Sequence, residues 1–402
     1  MKIFSIAYNK FTQRLKWSFS INGIILLGVG CLLSFVGYAQ KIDIKETYKE
    51  KKRYAIIYSK YVTPAQLTFP AKEINSIKMS NGAGKIEVVS SEKDEIEIEA
   101  SVENRALSKK KAKKFIEKYL QLSMENINGE LVIKSYFEGK LRRKYERRYG
   151  LGHLIETPGS RTNVVLKVPA GIQLNIYDRS GSILIHGLEN DIVLNDRSGS
   201  TVIKNVTGDV KIKDNSGNLS VQNQEGDLEI KDRSGSLYLE SIGLNKKNYQ
   251  IDIKDTSGGI KAKGLGGDVR LRDKSGTVDL NMITGSVEVT DASGYLNISE
   301  VGSYVKVNDK SGSIYLKEIA RNEQVPYRIS INDSSGSIFL HSAGTGAYIK
   351  DRSGRITVKD IKGDLEIIDR SGGISARDIS GELSVKNNSG KIHADNYFVK
   401  NR

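Results

Sequence analysis

DRSGSILIHGLENDIVLNDRSGS, residues 178–200, contains two copies of the phrase D-x-S-G, which recurs to the end of the chain. The phrase occurs twelve times, with Asn387 in place of the aspartate in the last copy. Its glycines are 18 residues apart except at two spacings of 23 and 24 residues, and they are Gly181, Gly199, Gly217, Gly235, Gly258, Gly276, Gly294, Gly312, Gly336, Gly354, Gly372 and Gly390. A fixed period of this length predicts a solenoid in which every copy forms one coil.

Each repeat contains two short alternations of apolar and polar residues. When the glycine of D-x-S-G is counted as position one, apolar residues occupy positions three and five (Ile183 and Ile185) and positions twelve and fourteen (Val210 and Ile212), with another often at position eight. Alternation of this kind predicts strands with one buried face. The sequence therefore predicts an all-β fold, a parallel β-solenoid (β-helix) of about twelve 18-residue coils. The nine-residue half-period favours a flattened coil of two sheets over a three-sided one.

The aspartate of D-x-S-G allows two interpretations. In the first, a ladder of carboxylates binds calcium, as in glycine-rich nine-residue repeats, although that motif needs an aspartate in every nine residues and this chain has one in 18. In the second, the carboxylate accepts backbone N–H bonds in a turn and the glycine supplies a positive φ. Basic residues such as Arg233 and Lys274 follow the aspartates directly and would offset the stacked charge. The sequence favours the turn and predicts no metal or other cofactor.

The net charge of +14 belongs mainly to the N-terminal part, because basic and acidic residues nearly balance from Gly171 onward. A basic chain suggests nucleic acid as a partner. Residues 1–39, however, are typical of a signal peptide: Lys2 and Lys10 precede an apolar run at 23–36, and small residues permit cleavage after Ala39. The sequence therefore predicts export to the periplasm, the outer surface or the extracellular space, and no nucleic-acid partner.

The apolar run also bears on membrane attachment. It has 14 residues, fewer than the roughly 20 of a spanning helix, so an uncleaved anchor is the alternative to cleavage and would be the only link to a membrane. Cys31, the only cysteine, lies inside the run, and lipidation there would leave an apolar stub at 32–36. Cleavage after Ala39 would leave a mature chain without cysteine and hence without disulfides.

The segment before the repeat is less regular. After a lead segment at 40–73, residues 80–102 predict two strands around a turn, resembling a degenerate coil, and 107–123 predict an amphipathic helix. Strands at 131–136 and 163–168 flank a basic loop at 139–152. We expect residues 74–170 to form an N-terminal cap of strands and helix, because solenoids must cover their terminal edges, with the repeat domain following at 171–402.

Candidate surface contacts come from the basic loop and from two insertions at 243–250 and 320–327, which cause the two longer spacings. Insertions in solenoids often gather on one face and form a binding surface, while a basic loop can contact anionic lipid or glycan, or simply be solvated. The expected partners are a cell-surface glycan, an anionic envelope component or another surface protein. The candidate residues are Lys246, Lys247, Tyr249, Tyr327, Arg142, Arg143, Arg147 and Arg148.

The sequence predicts no enzyme. An active site on a β-helix should interrupt the repeat with unique polar residues, and the acidic residues here recur once per coil. His186 and His341 are eight coils apart, roughly 38 Å at the strand spacing, and no hydrolase, zinc or phosphate-binding motif occurs. A non-enzymatic binding scaffold is the leading hypothesis. A carbohydrate-active β-helix enzyme and a calcium-stabilised extracellular rod are the alternatives.

A family resemblance supports this interpretation. The lead-in VVLKVPAGIQLNI at 164–176 precedes repeats of the form G-x-I-x-I-x-x-I-x-G-D-V-x-V-x-x-x-S-G, with G-D-V at 208–210 and 267–269. This pattern resembles the bacterial putative-adhesin domain family, exported β-solenoid proteins of unknown molecular function, from about Ile74 to the C terminus. The chain departs from the family in its strict D-x-S-G and its twelve coils. The resemblance implies a cell-envelope location and carries no catalytic residues.

Overall fold

The structure is a computed structural model that describes residues 45–51, 57–106, 108–138, 160–245, 249–320 and 329–398. These ranges are β-strands almost throughout, with a single helix, and the predicted all-β parallel solenoid is confirmed. No helix in them is both long enough and apolar enough to cross a bilayer. The chain divides into two compact units, Met1–Ser198 and Gly199–Arg402. The predicted signal peptide and basic loop lie outside the described residues.

The first unit contains eleven described strands and one helix, at β1 Lys45–Lys51, β2 Ile57–Pro70, β3 Ser76–Asn81, β4 Ile86–Ser90, β5 Glu95–Ala106, α1 Lys109–Tyr119, β6 Leu120–Ile127, β7 Glu130–Phe137, β8 Arg161–Val168, β9 Gln173–Asp178, β10 Ile183–Leu188 and β11 Ile192–Asp196. Strands β3 and β4 pair in parallel with β9 and β10. Their turn imitates the repeat, because Asn81 occupies the place of the aspartate and its Nδ2 donates to Asp178 Oδ1 at 2.8 Å.

Antiparallel strands extend both ladders of this unit. One side runs β1-β2-β5-β8-β4, and only the last of these pairings, β8 with β4, is parallel. On the other side, β6 pairs antiparallel with β7, which lies beside β3. Helix α1 begins after the N-cap Ser108 and packs Ala112 against Tyr61 and Ala106. The predicted helix at 107–123 was too long, because Leu120 and Leu122 alternate with polar residues and belong to a strand.

The second unit consists of solenoid coils. Its strands are β12 Thr201–Thr207, β13 Val210–Asp214, β14 Leu219–Glu225, β15 Leu228–Lys231, β16 Gly235–Ile242, β17 Gln250–Lys254, β18 Gly258–Leu265, β19 Asp268–Arg272, β20 Gly276–Ile283, β21 Val287–Thr290, β22 Gly294–Val301, β23 Val305–Asn308, β24 Gly312–Ile319, β25 Ile329–Asn332, β26 Gly336–Ala343, β27 Ala347–Lys350, β28 Gly354–Ile361, β29 Leu365–Asp369, β30 Ile374–Asn387 and β31 Ile392–Phe398.

These strands form two parallel ladders, so each coil contributes one strand to each. Sheet A contains the even-numbered strands from β12 to β30 together with β31, and sheet B contains the odd-numbered strands from β13 to β29 with the C-terminal half of β30. Register continues across both insertions, because Ile230 pairs with Ile253 and Val307 pairs with Ile331. Residues at positions three, five, eight, twelve and fourteen fill the space between the sheets and are almost all apolar and buried.

Position seven bends each strand of sheet A. The residue there has a positive φ, mostly between 51° and 60°, in a series of non-glycine residues: Asn205, Asn223, Ser241, Met282, Glu300, Glu318, Ser342, Asp360, Asp378 and Asn396. This bend returns the residue at position eight to the core, as at Ile283. Only glycine, and to a lesser degree asparagine and aspartate, adopt this conformation at low cost.

We therefore expect Met282→Asn to stabilise the protein by about 1 kcal/mol, because asparagine tolerates the left-handed conformation. Met282 is 45% exposed, so little packing is lost. Chemical denaturation should show the gain, and Met282→Ala, which keeps a penalised residue, should not. A gain of equal size from alanine would contradict the assignment of strain to position seven.

Candidate functional site

Each D-x-S-G phrase forms a corner where sheet B leads into sheet A. In the corner at Asp255, Oδ1 accepts the backbone N–H groups of Thr256 and Ser257 at 2.6 and 3.2 Å. The Ser257 hydroxyl donates to the carbonyl oxygen of Arg233 in the preceding coil at 3.1 Å. The same contacts recur in the neighbouring corners, as at Asp273. This geometry is the side-chain turn that the second interpretation of the aspartate predicted.

The corner glycine is required for both conformation and space. Gly258 has φ +142°, and a Cβ atom there would lie 1.7 Å from the carbonyl oxygen of Gly235 in the coil beneath. The x residue of the phrase uses only its backbone in these contacts. The aspartate, serine and glycine of the phrase are therefore needed to form the corner, while the side chain at x is not.

The second oxygen of each carboxylate is buried. Across the described part of the second unit, Oδ2 has no hydrogen-bond partner in a column made of Asp232, Asp255, Asp273, Asp291, Asp309, Asp333, Asp351 and Asp369. The basic residues after the aspartates were expected to offset this charge. Arg233 and Lys274 are instead exposed, and neither forms an ion pair with these carboxylates among the described residues.

Burial changes the acidity of this column. It raises the pKa of Asp309 from 3.8 to about 7, with the charges of Asp333 and Asp291 as further causes. Burial likewise raises the pKa of Asp255 and of Asp351 to about 6. Within the described ranges, no group of three or more His, Cys, Asp or Glu residues is arranged to hold a metal ion.

The pKa of Asp309 is higher in the folded protein than in the unfolded chain. Its contribution to the free energy of unfolding is therefore complete below about pH 4 and is lost as the pH rises through about 7. We expect the melting temperature to fall as the pH is raised from about 5 to about 8. Asp309→Asn should keep the turn contacts, remove the buried charge and raise stability by about 1 kcal/mol at the higher pH. Asp309→Ala should lower it by about 1–2 kcal/mol, because two backbone N–H groups lose their acceptor.

Thermal unfolding followed by circular dichroism measures these shifts. Calcium and a chelator provide the control, because turn carboxylates should respond to neither. A melting temperature that rises with calcium, and does so only when Asp309 is intact, would assign the column to metal binding instead.

Three aromatic side chains form a cluster on the outer face of sheet A. Tyr295 of β22, Tyr315 of β24 and Phe339 of β26 are contributed by three consecutive coils, and we call them the aromatic platform. The rings of Tyr315 and Phe339 stack with centroids 4.4 Å apart and planes 12° apart, while Tyr295 lies 4.9 Å from Tyr315. Tyr295 is 41% exposed. The platform therefore presents a continuous aromatic surface at a position where the repeat does not need one.

Polar groups border the platform. Asn297, which pairs in register with Tyr315, donates from Nδ2 to Asp279 Oδ1 at 2.8 Å. Lys317 and His341 follow on the next outward position of the same strands, and both are exposed. Aromatic faces with adjacent amide, carboxylate and cationic groups suit ligands that have both an apolar face and hydroxyl groups.

Only one of the sequence-predicted contact residues can be located. Tyr249 is half-buried, its backbone carbonyl accepts the Asp268 N–H at 3.0 Å, and its ring covers Gly243, where a Cβ atom would lie 2.7 Å from the ring. The other candidates lie outside the described residues and are Lys246, Lys247, Tyr327, Arg142, Arg143, Arg147 and Arg148. The aromatic platform was not among the predicted contact residues. Alignment of the repeats would have shown aromatic residues at outward positions of three successive coils.

Comparison with known proteins agrees with this architecture. The family model described as Toastrack DUF4097 matches residues 74–347, well over half of the chain. No curated protein matches the chain. The match covers coils of both units and includes the aromatic platform.

Proposed function

Because the chain belongs to the Toastrack DUF4097 family, whose repeats suit a non-catalytic scaffold, we propose that it is an exported, non-enzymatic β-solenoid that binds glycan through the aromatic platform. The platform carries the proposal, since stacked rings on an outward sheet face are not needed to form the coil. If the glycan is part of a cell surface, the protein would have an adhesin-like role at the cell envelope.

The chemistry of the platform favours sugars. A pyranose ring has an apolar C–H face that can lie on an aromatic ring, whose face carries partial negative charge. Partial desolvation raises the pKa of Tyr295 above its ordinary value near 10, so this hydroxyl is a hydrogen-bond donor well beyond neutral pH. Asn297 lies beside Tyr315, Asp279 lies one strand farther along the ladder, and both can form hydrogen bonds with sugar hydroxyls. Neighbouring coils are roughly 4.8 Å apart, so the three coils of the platform offer a surface for more than one sugar unit.

The corner aspartates support a non-enzymatic role over a glycosidase. A glycosidase needs two carboxyl groups that reach opposite sides of a glycosidic bond. The carboxylates with raised pKa values are those of the corners, where Oδ1 accepts hydrogen bonds from backbone N–H groups and Oδ2 is buried. They are therefore inaccessible to a polysaccharide.

Tyr315→Ala should weaken binding of neutral oligosaccharides about tenfold, equivalent to about 1.4 kcal/mol, because it removes the central ring. Isothermal titration with cello-, xylo- and maltohexaose measures the change, and Tyr315→Phe should retain most of the affinity. Tyr238→Ala is the matched control, since Tyr238 occupies the same position of another coil and donates its hydroxyl to Glu240 at 2.8 Å. If no oligosaccharide binds, or if Tyr238→Ala is equally harmful, the proposal fails.

The export part of the proposal rests on residues 1–39. Expression of the full chain in a bacterial host should give a protein outside the cytoplasm whose N terminus is Gln40. N-terminal sequencing and fractionation check this outcome. A chain that keeps Met1 and remains in the cytoplasm would remove export from the proposal, whereas an intact chain in the membrane fraction would indicate an uncleaved anchor.

A further inference from the structure

A second surface of the Gly199–Arg402 unit differs in character from the platform. A groove of about 390 Å³ runs along the corners of four consecutive coils and is lined by residues on both sides of the aspartates. Its first side is a row of basic residues directly before the aspartates, Lys213, Lys231, Lys254 and Arg272. Arg233 and Lys274 line the other side. We call this surface the basic groove.

Strand pairing places the row at regular intervals. Lys213 pairs with Lys231, Lys231 with Lys254, and Lys254 with Arg272, each across a parallel ladder. The spacing between neighbours is therefore roughly 4.8 Å. The row ends at Arg272, because the next residue in register is Thr290. An unbroken row of four cations is limited to these coils, because the same position holds asparagine or threonine in the next three coils and a single lysine, Lys350, in the one after them.

Most of these cations have no carboxylate partner. Lys231 shares Glu229 with Lys211, and the two lysines lower the pKa of Glu229 to about 2. Among the described residues, no acidic side chain forms an ion pair with Lys213, Lys254 or Arg272, all of which are exposed. Like charges held in a row repel one another, so an anionic ligand would relieve this repulsion.

The carboxylates in the floor of the groove are less accessible than the cations on its sides. Asp232, Asp255 and Asp273 lie beneath the cations, but their Oδ2 atoms are buried and their Oδ1 atoms are bonded to backbone N–H groups. A ligand in the groove would therefore meet ammonium and guanidinium groups first. Burial raises the pKa values of Asp232, Asp255 and Asp273, which favours their neutral forms.

We propose that the basic groove binds a linear anionic polysaccharide whose carboxylate or sulfate groups contact successive rungs. A narrow row of charges at a fixed interval along the coils suits an extended chain better than a flat membrane. The site is distinct from the aromatic platform and does not depend on it, because the two share no residue and lie on different coils.

The test compares polygalacturonate, which has carboxylates, and dextran sulfate with neutral dextran and duplex DNA as probes of the purified protein. The triple variant Lys213→Gln, Lys254→Gln, Arg272→Gln should weaken binding of the anionic polysaccharides about tenfold or more and reduce its salt dependence. The matched control is Lys306→Gln, Lys350→Gln, Lys359→Gln, which removes three exposed cations elsewhere in the same unit and should change affinity less than about twofold.

Thermal unfolding checks that both variants are folded. A preference for polygalacturonate or for dextran sulfate identifies the anionic group, and either preference supports the site. Equal loss in the control variant, binding of DNA as tight as that of the polysaccharides, or no binding to either anionic polysaccharide would overturn it. Tyr315→Ala should leave polygalacturonate binding unchanged, so failure of the groove and failure of the platform can be told apart.

Discussion

The carbonyl oxygen of each corner glycine lies where a side chain on the next corner glycine would have to begin. At Gly276 the distance from an added Cβ to the carbonyl oxygen of Gly258 would be 1.7 Å, and the other corners of the second unit repeat this contact. The coils can approach to strand spacing at this corner only because two backbones meet without side chains. The serine hydroxyl and the aspartate Oδ1 then bond the backbone groups that the turn leaves unpaired. The ladders of both sheets depend on this close approach.

This arrangement separates residues that form the coil from residues that are free for recognition. The aspartate, serine and glycine of each corner form the turn, and the apolar positions form the core. The side chains at outward positions of sheet A and beside each aspartate are not needed for either. The aromatic platform and the basic groove both use such uncommitted positions, in different coils. Coils with nearly identical backbones can therefore carry different surfaces. Substitutions at these outward positions can therefore change the surface of a coil without changing its fold.

Much of the second unit could be predicted from the sequence, because glycine spacing and alternation are local signals that repeat. The helix boundary was less predictable, since Leu120 continues the apolar stripe of α1 and also starts the alternation of β6. The left-handed residue at position seven was missed because Met282 and Glu300 carry no turn signal of their own. The buried Oδ2 atoms could not be foreseen, since their burial depends on how the neighbouring coils cover the corner. Alignment of the repeats places Tyr315 and Phe339 at position four of successive coils, but their contact with Tyr295 at position two depends on the register between the strands.

The uninterrupted register across the two insertions has an evolutionary consequence. Ile230 pairs with Ile253, and Val307 pairs with Ile331, although five or six more residues separate them than in an ordinary coil. The turn that leads from sheet A to sheet B therefore accepts additional residues without a change in strand alignment. Insertions at this turn are therefore expected to have little effect on folding. Homologous coils can diverge there in length as well as in sequence, while the D-x-S-G corner opposite remains fixed.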